Sequence, residues 1–309
     1  MIKESKILIL GASGMLGSAI VRKLWENNYD NLLMPNSTSL DLTSQYLVQS
    51  YFAEHQPQYI FNCAGRVGGI LANCQDPVAF LYDNAMIQLN VLKACESIKA
   101  KKVLTLGSSC IYPKNADQPI KESALLTGTL EPTNEAYALA KILGVMMSKH
   151  LNKQNKVNAI SLMPCNVYGY NDNYDQQRGH IIGALVDRFH KAKQKNEPLV
   201  KVWGSGKPSR EFIFVDDLAD ACLWAMLNYN DAEHLNVGTG EEISVLELAL
   251  KIKNLIGFDG VLEFDTTKPD GMIRKVMDCS KINSLGWQPK TSLEDGLQLA
   301  YMQYQLTLK

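Results

Sequence analysis

The stretch Ile7-Leu8-Ile9-Leu10-Gly11-Ala12-Ser13-Gly14-Met15-Leu16-Gly17 decides the fold. Four consecutive apolar residues read as a strand buried on both faces, the form taken by strands of a parallel sheet. The strand stops at Gly11, and Gly11, Gly14 and Gly17 follow at GxxGxxG spacing. Gly11 permits the tight turn, Gly14 lets backbone approach a pyrophosphate, and Gly17 lets the next helix pack closely on the strand. The helix N-terminus then faces the phosphates. A glycine pattern alone says little; one set between a strand and a helix is the dinucleotide-binding arrangement.

Working outward, the same alternation repeats. An amphipathic helix is predicted over Ser18–Asn27, a strand at Leu32–Met34, a helix over Gln45–Glu54 and a strand at Tyr59–Asn62. A long helix follows over Pro77–Ile98, a strand at Lys102–Leu106, a helix over Glu135–Leu151 and a strand at Asn158–Met163. This order predicts an α/β fold, a Rossmann-type doubly wound parallel sheet. Past residue 165 the pattern loosens into a polar loop, Tyr168–Arg178, then a helix over Ile181–Gln194, a strand at Phe212–Val215 and a helix over Asp217–Leu227. We expect a nucleotide-binding domain over 1–165 with segments near 211–240 returning to it. Residues 166–309 would mainly form a smaller C-terminal α/β substrate-binding lobe.

The 309 residues are 46% hydrophobic and 20% charged, enough for a substantial core, and the formal net charge of -1 gives no reason to expect nucleic-acid binding. Seven cysteines lie scattered with no CxxC pair, which argues against a zinc site or disulfide framework and fits a reducing cytoplasm. No apolar run reaches the roughly 18–20 residues that would span a bilayer, and the N-terminus runs straight into a strand without a cleavable signal pattern. The expectation is a cytoplasmic protein with no membrane partner and no metal.

Chemistry concentrates in Leu106-Gly107-Ser108-Ser109-Cys110-Ile111-Tyr112-Pro113 and in Tyr137-Ala138-Leu139-Ala140-Lys141. Tyr137 and Lys141 are four apart on a predicted helix and share a face. A free tyrosine, with a pKa of about 10, is a poor acid–base group at neutrality; a neighbouring ammonium is expected to lower it. Tyr137 would give its proton to a carbonyl oxygen as hydride reaches the carbon, with Ser108 hydrogen-bonded to that oxygen and Lys141 on the nicotinamide ribose. If the strand continued, Ser108 and Cys110 would point to one face. Cys110 would then be a base for a carbon-bound proton and His180, at a helix start after a polar loop, the complementary acid. Such a pair is what inverting centres next to a ketone requires. A buried cysteine and a capping histidine are the plain alternatives.

These residues resemble the GDP-L-fucose synthase family, the GDP-4-keto-6-deoxy-mannose 3,5-epimerase/4-reductases among the extended short-chain dehydrogenase/reductases. The likeness runs over nearly the whole chain. Its most specific parts are Val67-Gly68-Gly69-Ile70, Gly107-Ser108-Ser109-Cys110-Ile111-Tyr112-Pro113-Lys114, Glu131-Pro132-Thr133-Asn134-Glu135, and Trp203-Gly204-Ser205-Gly206 with Arg210-Glu211-Phe212. It implies Ser108, Tyr137 and Lys141 as the reductive triad and Cys110 with His180 as epimerisation base and acid. For the cofactor it implies Gly11, Ser13, Gly14, Met15, Leu16 and Gly17 at the loop, and Asp41 and Leu42 near the adenine. Ala64, Gly65, Pro164, Asn166, Val167 and His180 would lie along the cofactor, with Tyr137 and Lys141. The GDP-linked 4-keto-6-deoxy sugar would meet Ser109, Cys110, Asn166, Arg188, Trp203, Arg210 and Asp278. The resemblance also implies a homodimer. Two departures stand out: Ser13 and Ser37 occupy positions where NADPH-preferring members carry arginines. With no acidic residue to repel a 2′-phosphate, and Arg66 the nearest basic candidate, the reading leans to NADP(H) and leaves NAD(H) open. A C4-reductase without epimerase activity, on a related hexose or heptose for capsule or O-antigen, is the second reading.

Overall fold

Strand β1 (Ile7–Leu10) sends Ile7 and Ile9 into one face of the sheet and Leu8 and Leu10 into the other, as a side-chain period of two requires. All four are buried, which is why the run is uninterrupted by polar residues. The computed structural model describes residues 1–175, 179–268 and 270–308. After β1 come α1 (Met15–Glu26), β2 (Leu32–Leu33), α2 (Gln45–His55), β3 (Tyr59–Asn62), α3 (Ile70–Gln75), α4 (Pro77–Ser97), β4 (Lys102–Leu106), α5 (Glu135–Lys153) and β5 (Asn158–Pro164). Then follow β6 (Asn166–Tyr168), α6 (Ile181–Gln194), β7 (Leu199–Trp203), β8 (Ser209–Phe214), α7 (Val215–Asn228), β9 (Leu235–Val237), β10 (Glu242–Ser244), α8 (Val245–Ile256), β11 (Val261–Asp265), β12 (Arg274–Lys275), α9 (Ser280–Ser284) and α10 (Leu293–Thr307).

The main sheet is parallel throughout, in the order β2-β1-β3-β4-β5-β9. Helices α1 and α7 cover one face; α2, α4 and α5 cover the other. The chain leaves β1 outward to β2, then crosses to β3 on the opposite side. That reversal opens a crevice beyond the carboxyl ends of β1 and β3, the place where doubly wound sheets bind ligands. The expected doubly wound sheet is therefore present, although α1 starts at Met15 rather than Ser18, with Gly14 as its N-cap.

Strand β8 is the hub of the second lobe. It pairs antiparallel with β10 and parallel with β12 and β6. Its Phe212 and Phe214 pack with Tyr168 against α6, α8 and α10 in a separate core. The start of the predicted loop at Tyr168 is thus strand, and its end, 176–178, lies outside the described residues. Of the segments expected to return to the first lobe, α7 and β9 pack into its core, and β8 is shared: its Ile213 joins that core while Phe212 and Phe214 face the second. Residues 276–287, which the sequence reading placed in the second lobe, also return. Met277, Cys279, Ile282 and Trp287 join the first lobe's core, and the Trp287 indole donates to Asp220 of α7 at 3.0 Å.

One buried charge fastens the sheet to its covering helix. The Lys102 side chain is 4% exposed, and its ammonium donates to the carbonyls of Ala225, Met226 and Tyr229 and to Asn230 Oδ1. A cation at a helix C-terminus satisfies carbonyls that have no partner within the helix. Lys102→Ala should therefore lower the unfolding free energy by about 3 kcal/mol, the cost of stranding buried acceptors. A urea midpoint equal to that of the parent protein would show that the end of α7 is held without it.

Candidate active site

The crevice is a cleft of about 780 Å³ whose floor is the carboxyl end of the main sheet and whose far wall comes from the second lobe. At its near end Gly11 adopts φ +79°, and a Cβ on Gly17 would lie 2.0 Å from the Gly11 carbonyl oxygen. Both positions require glycine, the first for conformation and the second for contact. The loop lines the cleft from Gly11 through Gly17, with Ser13 and Gly14 exposed to it. The first-turn amides of α1 have no helical acceptor and are available to an anion.

Beyond β2 the lining is Pro35, Asn36 and Ser37. Asn36 Oδ1 accepts from the Thr38 amide at 3.1 Å, the Thr38 hydroxyl at 2.7 Å and the Ser39 amide at 2.9 Å, so this corner is a turn of neutral polar groups. Asp41 and Leu42 line the cleft next to it. The Thr43 hydroxyl and amide donate to the Asp41 carboxylate, which lowers its pKa. Arg66 also lines the cleft, but its guanidinium bonds to Asp76 at 2.9 Å and Asp83 at 3.2 Å. It is thus tied to α4 and does not stand free as a phosphate ligand.

The triad residues come together at the end of β4. Lys141 is 4% exposed, and its ammonium donates to the Leu106 carbonyl at 3.0 Å. Ala64 and Gly65 line the cleft beside it; a Cβ on Gly65 would lie 2.8 Å from Asn84 Oδ1 and 3.6 Å from Lys141 Nζ, so this wall admits backbone only. Burial lowers the Lys141 pKa to about 8, against a smaller opposing effect of Cys63. Its Nζ lies 5.6 Å from the centre of the Tyr137 ring. Tyr137 hydrogen-bonds with Ser108, yet burial and the nearby Cys110 raise its pKa above that of a free phenol. This corrects the expectation that the ammonium would lower it: desolvation and Cys110 raise it, the Ser108 hydrogen bond is the opposing effect, and the phenol keeps its proton.

Ser108 and Cys110 do line one pocket with Ser109, but not for the reason given by strand geometry. The strand ends at Leu106, Ser108 is extended, and Ser109–Ile111 form a 3-10 turn. That turn folds Cys110 back over the serine, whose hydroxyl oxygen accepts from the Cys110 amide at 3.3 Å. The Cys110 sulfur accepts from Asn134 Nδ2 at 3.2 Å and from Lys275 Nζ at 3.5 Å. Neither partner was assigned a role in the sequence reading. Lys275 arrives through β12, paired with Arg210 on β8, and such long-range pairing has no local signature. Asn134 sits in the Glu131–Glu135 motif, where an asparagine before a helix reads as an ordinary cap.

Pro164, Asn166, Val167, His180 and Arg210 complete the lining. His180 is the N-cap residue of α6 without a capping side-chain bond and lines the cleft. The surrounding walls desolvate it and lower its pKa. Arg188, Trp203 and Asp278 do not line the cleft. The Arg188 guanidinium is taken by the Lys201 carbonyl at 2.5 Å, and Trp203 is 48% exposed at the end of β7 with the Lys268 ammonium over its ring. Asp278 accepts from the Ser280 amide at 2.9 Å in a separate surface depression with Lys121 and Lys281. Among the described residues, no group of three or more His, Cys, Asp or Glu side chains is arranged to hold a metal ion.

A family model described as the NAD dependent epimerase/dehydratase family matches residues 7–238. A putative GDP-L-fucose synthase 2 of Arabidopsis thaliana is 53% identical over 302 residues, covering 98% of this chain and 92% of that protein. The GDP-L-fucose synthase of Escherichia coli strain K12 is 42% identical over 307 residues, covering 96% of each. Among solved structures, a GDP-mannoheptose C4 reductase from Campylobacter jejuni with NADP bound superposes with a TM-score of 0.91 at 37% identity, over 99% of both chains.

The His180 environment is directly measurable. Its imidazole should titrate with a midpoint below the ordinary value of about 6.5 when followed by NMR, because desolvation disfavours the charged ring. A midpoint above that value would overturn desolvation as the dominant influence on this ring.

Proposed function

The chain belongs to the NAD dependent epimerase/dehydratase family, and within it we propose an NADP(H)-dependent enzyme that epimerises C3 and C5 of GDP-4-keto-6-deoxy-mannose and reduces C4, giving GDP-L-fucose. The observation that carries this reading is one pocket holding both a proton donor for the ketone oxygen, Tyr137 with Ser108, and a sulfur that accepts hydrogen bonds, Cys110. The relatives named GDP-L-fucose synthase support it over nearly the full length of the chain.

The near end of the cleft fits a dinucleotide, since the glycine loop leaves backbone amides exposed where any side chain would intrude. Gly11 through Gly17 would hold the pyrophosphate, Asp41 and Leu42 the adenine side, and Tyr137 with Lys141 the nicotinamide ribose. Bound NADPH supplies the hydride for C4. The chain's own residues do the rest. Ser108 holds the ketone oxygen, and Tyr137, which retains its proton because its surroundings desolvate the phenolate, delivers it to that oxygen. Before reduction Cys110 removes the proton on a carbon next to the ketone, giving an enediolate, and His180 returns one from the opposite face. Arg210 and Lys275 present two cations at the second-lobe wall, suited to the substrate diphosphate.

A reductase without epimerase activity is favoured by one finding, the close structural match to a heptose C4 reductase. We further propose a cytoplasmic homodimer. Val78, Leu81 and Tyr82 of α4 and Leu139 and Leu143 of α5 are exposed side by side at helical spacing, an apolar face of the kind that pairs across a two-fold axis. No described helix is long and apolar enough to cross a membrane.

The decisive experiment follows GDP-4-keto-6-deoxy-mannose in D2O by NMR, first without and then with NADPH. Deuterium should enter at C3 and C5 before any reduction, and GDP-L-fucose should follow when NADPH is added. Cys110→Ser should stop the exchange, while Tyr137→Phe should leave exchange intact and slow reduction by about 10²- to 10⁴-fold. NADPH oxidation without deuterium incorporation would leave only the C4-reductase.

The pH profile gives an independent check. Lys141 carries its charge below about pH 8 and loses it above. kcat/KM for reduction of the epimerised ketone, which reports the free enzyme, should therefore fall as pH rises through that value. A profile flat to about pH 9.5 would remove Lys141's charge from the mechanism.

A further inference from the structure

Strand β2 pairs with β1, so the turn after it flanks the glycine loop at the near end of the cleft. In a dinucleotide-binding fold the group that meets the adenosine ribose stands about 20 residues past that loop. A carboxylate there pairs with the 2′-hydroxyl of NAD, and a nearby arginine accommodates the 2′-phosphate of NADP. Here the place falls on Asn36 and Ser37, which line the cleft together with Ser13 of the loop. The turn is closed on itself. The Asn36 carbonyl accepts from the amides of Ser39 at 3.1 Å and Leu40 at 2.9 Å, and Oδ1 is taken by Thr38 and Ser39. That leaves the carboxamide nitrogen as a donor. The hydroxyls of Ser13 and Ser37, both exposed, have no hydrogen-bond partner among the described residues.

The charged groups of the cleft are committed elsewhere. Among the described residues that line it, the cations are Arg66, Lys141, Arg210 and Lys275. Arg66 is held by Asp76 and Asp83, with the Phe80 ring 5.6 Å from its guanidinium. Lys141 is on the Leu106 carbonyl, and Arg210 and Lys275 stand on paired strands of the second lobe. The Asp41 carboxylate is held by Thr43 on the adenine side of the proposed cofactor. Buried Asn90 of α4 fixes that segment, donating to the carbonyls of Leu42 at 2.9 Å and Thr43 at 3.0 Å. We infer that Ser13, Asn36 and Ser37 read the cofactor's 2′ group with neutral donors, and that the enzyme takes NADH and NADPH with comparable affinity. Hydroxyl and amide donors can bond to a hydroxyl oxygen or to a phosphate oxygen. At an exposed corner a phosphate keeps much of its water, so no desolvation cost excludes it; it also gains no ion pair that would select it. This inference rests on the dinucleotide reading of the cleft's near end and states which dinucleotides that end accepts.

Equilibrium binding tests this without turnover. The nicotinamide fluorescence of NADH and of NADPH is followed as the unaltered enzyme, Ser37→Arg and Ser37→Asp are titrated in. For the unaltered enzyme the two dissociation constants should agree within about tenfold, the least that one hydrogen bond to a charged group is worth. Their ratio should hold steady as salt is raised, because no ion pair on the 2′-phosphate is there to be screened. Ser37→Arg should tighten NADPH by about 10- to 100-fold, leave NADH nearly unchanged, and make the gain shrink with salt. Ser37→Asp should weaken NADPH and spare NADH. Both substitutions replace an exposed hydroxyl that holds nothing in the turn, so the turn should persist. Three results would overturn the inference: a preference of the unaltered enzyme for either cofactor beyond about tenfold, a preference for NADPH that falls as salt rises, or a ratio that neither variant moves. Failure of the unaltered enzyme to bind either cofactor would instead overturn the dinucleotide reading above, and this inference with it.

Discussion

The cleft depends on one buried cation. Lys141 sits inside the first lobe with its ammonium on the Leu106 carbonyl, at the point where β4 ends and the chain turns toward Ser108. Burying an ammonium is unfavourable, and the lowered pKa of about 8 records that cost. What it secures is registry: α5 cannot slide along the sheet without breaking this bond. One turn earlier on the same helix is Tyr137, and at the helix start is Asn134. Three groups of the site are therefore set by one contact between a helix and a strand end.

The far wall is set by a buried anion. Glu211 is wholly inaccessible to solvent. Its carboxylate accepts from the amides of Met277 at 2.9 Å and Gly240 at 2.8 Å, and burial raises its pKa above the ordinary range for a glutamate. These bonds join β8 to the segment after β9 and to the segment after β12. Arg210 precedes Glu211, and Lys275 lies two residues before Met277. The two cations of the second-lobe wall thus share one anchor, which explains how Lys275, remote in sequence, meets Cys110 from the first lobe.

What the sequence revealed, and what it hid, follows from the range of each interaction. The glycine loop was legible because its requirements are local: a φ of +79° at Gly11 and a contact of Gly17 with Gly11, six residues apart. Tyr137 and Lys141 were legible because a helix puts residues four apart on one face. Ser108 and Cys110 were brought to one pocket as expected, but by a 3-10 turn rather than a continued strand. The direction of the Tyr137 shift was not legible, because it is set by a desolvation that only packing reveals and not by the lysine that spacing places on the same face. Arg188, Trp203 and Asp278 were placed by resemblance, and here each has another environment outside the cleft. Lys275 and Asn134 required tertiary pairing and a side-chain direction, neither of which one sequence contains.

In the proposed reaction two proton tasks share this pocket, and the two side chains that would carry them sit in different surroundings. Tyr137 is enclosed by the Phe80 ring, edge-on at 6.3 Å between centres, and by the end of β4. The enclosure disfavours the phenolate, so the phenol keeps its proton. Cys110 is instead met by donors, an amide nitrogen and an ammonium, so its sulfur is presented as an acceptor. Desolvation dominates at the phenol, which keeps one polar partner in Ser108, whereas two donors meet the sulfur. In the proposed reaction a ketone held by Ser108 would lie between the two, with its oxygen toward the phenol and an adjacent carbon toward the sulfur. The order of events then follows from the arrangement. Carbon-bound protons would exchange while the ketone persists, and reduction with the Tyr137 proton would end the exchange by removing the carbonyl that made those protons acidic.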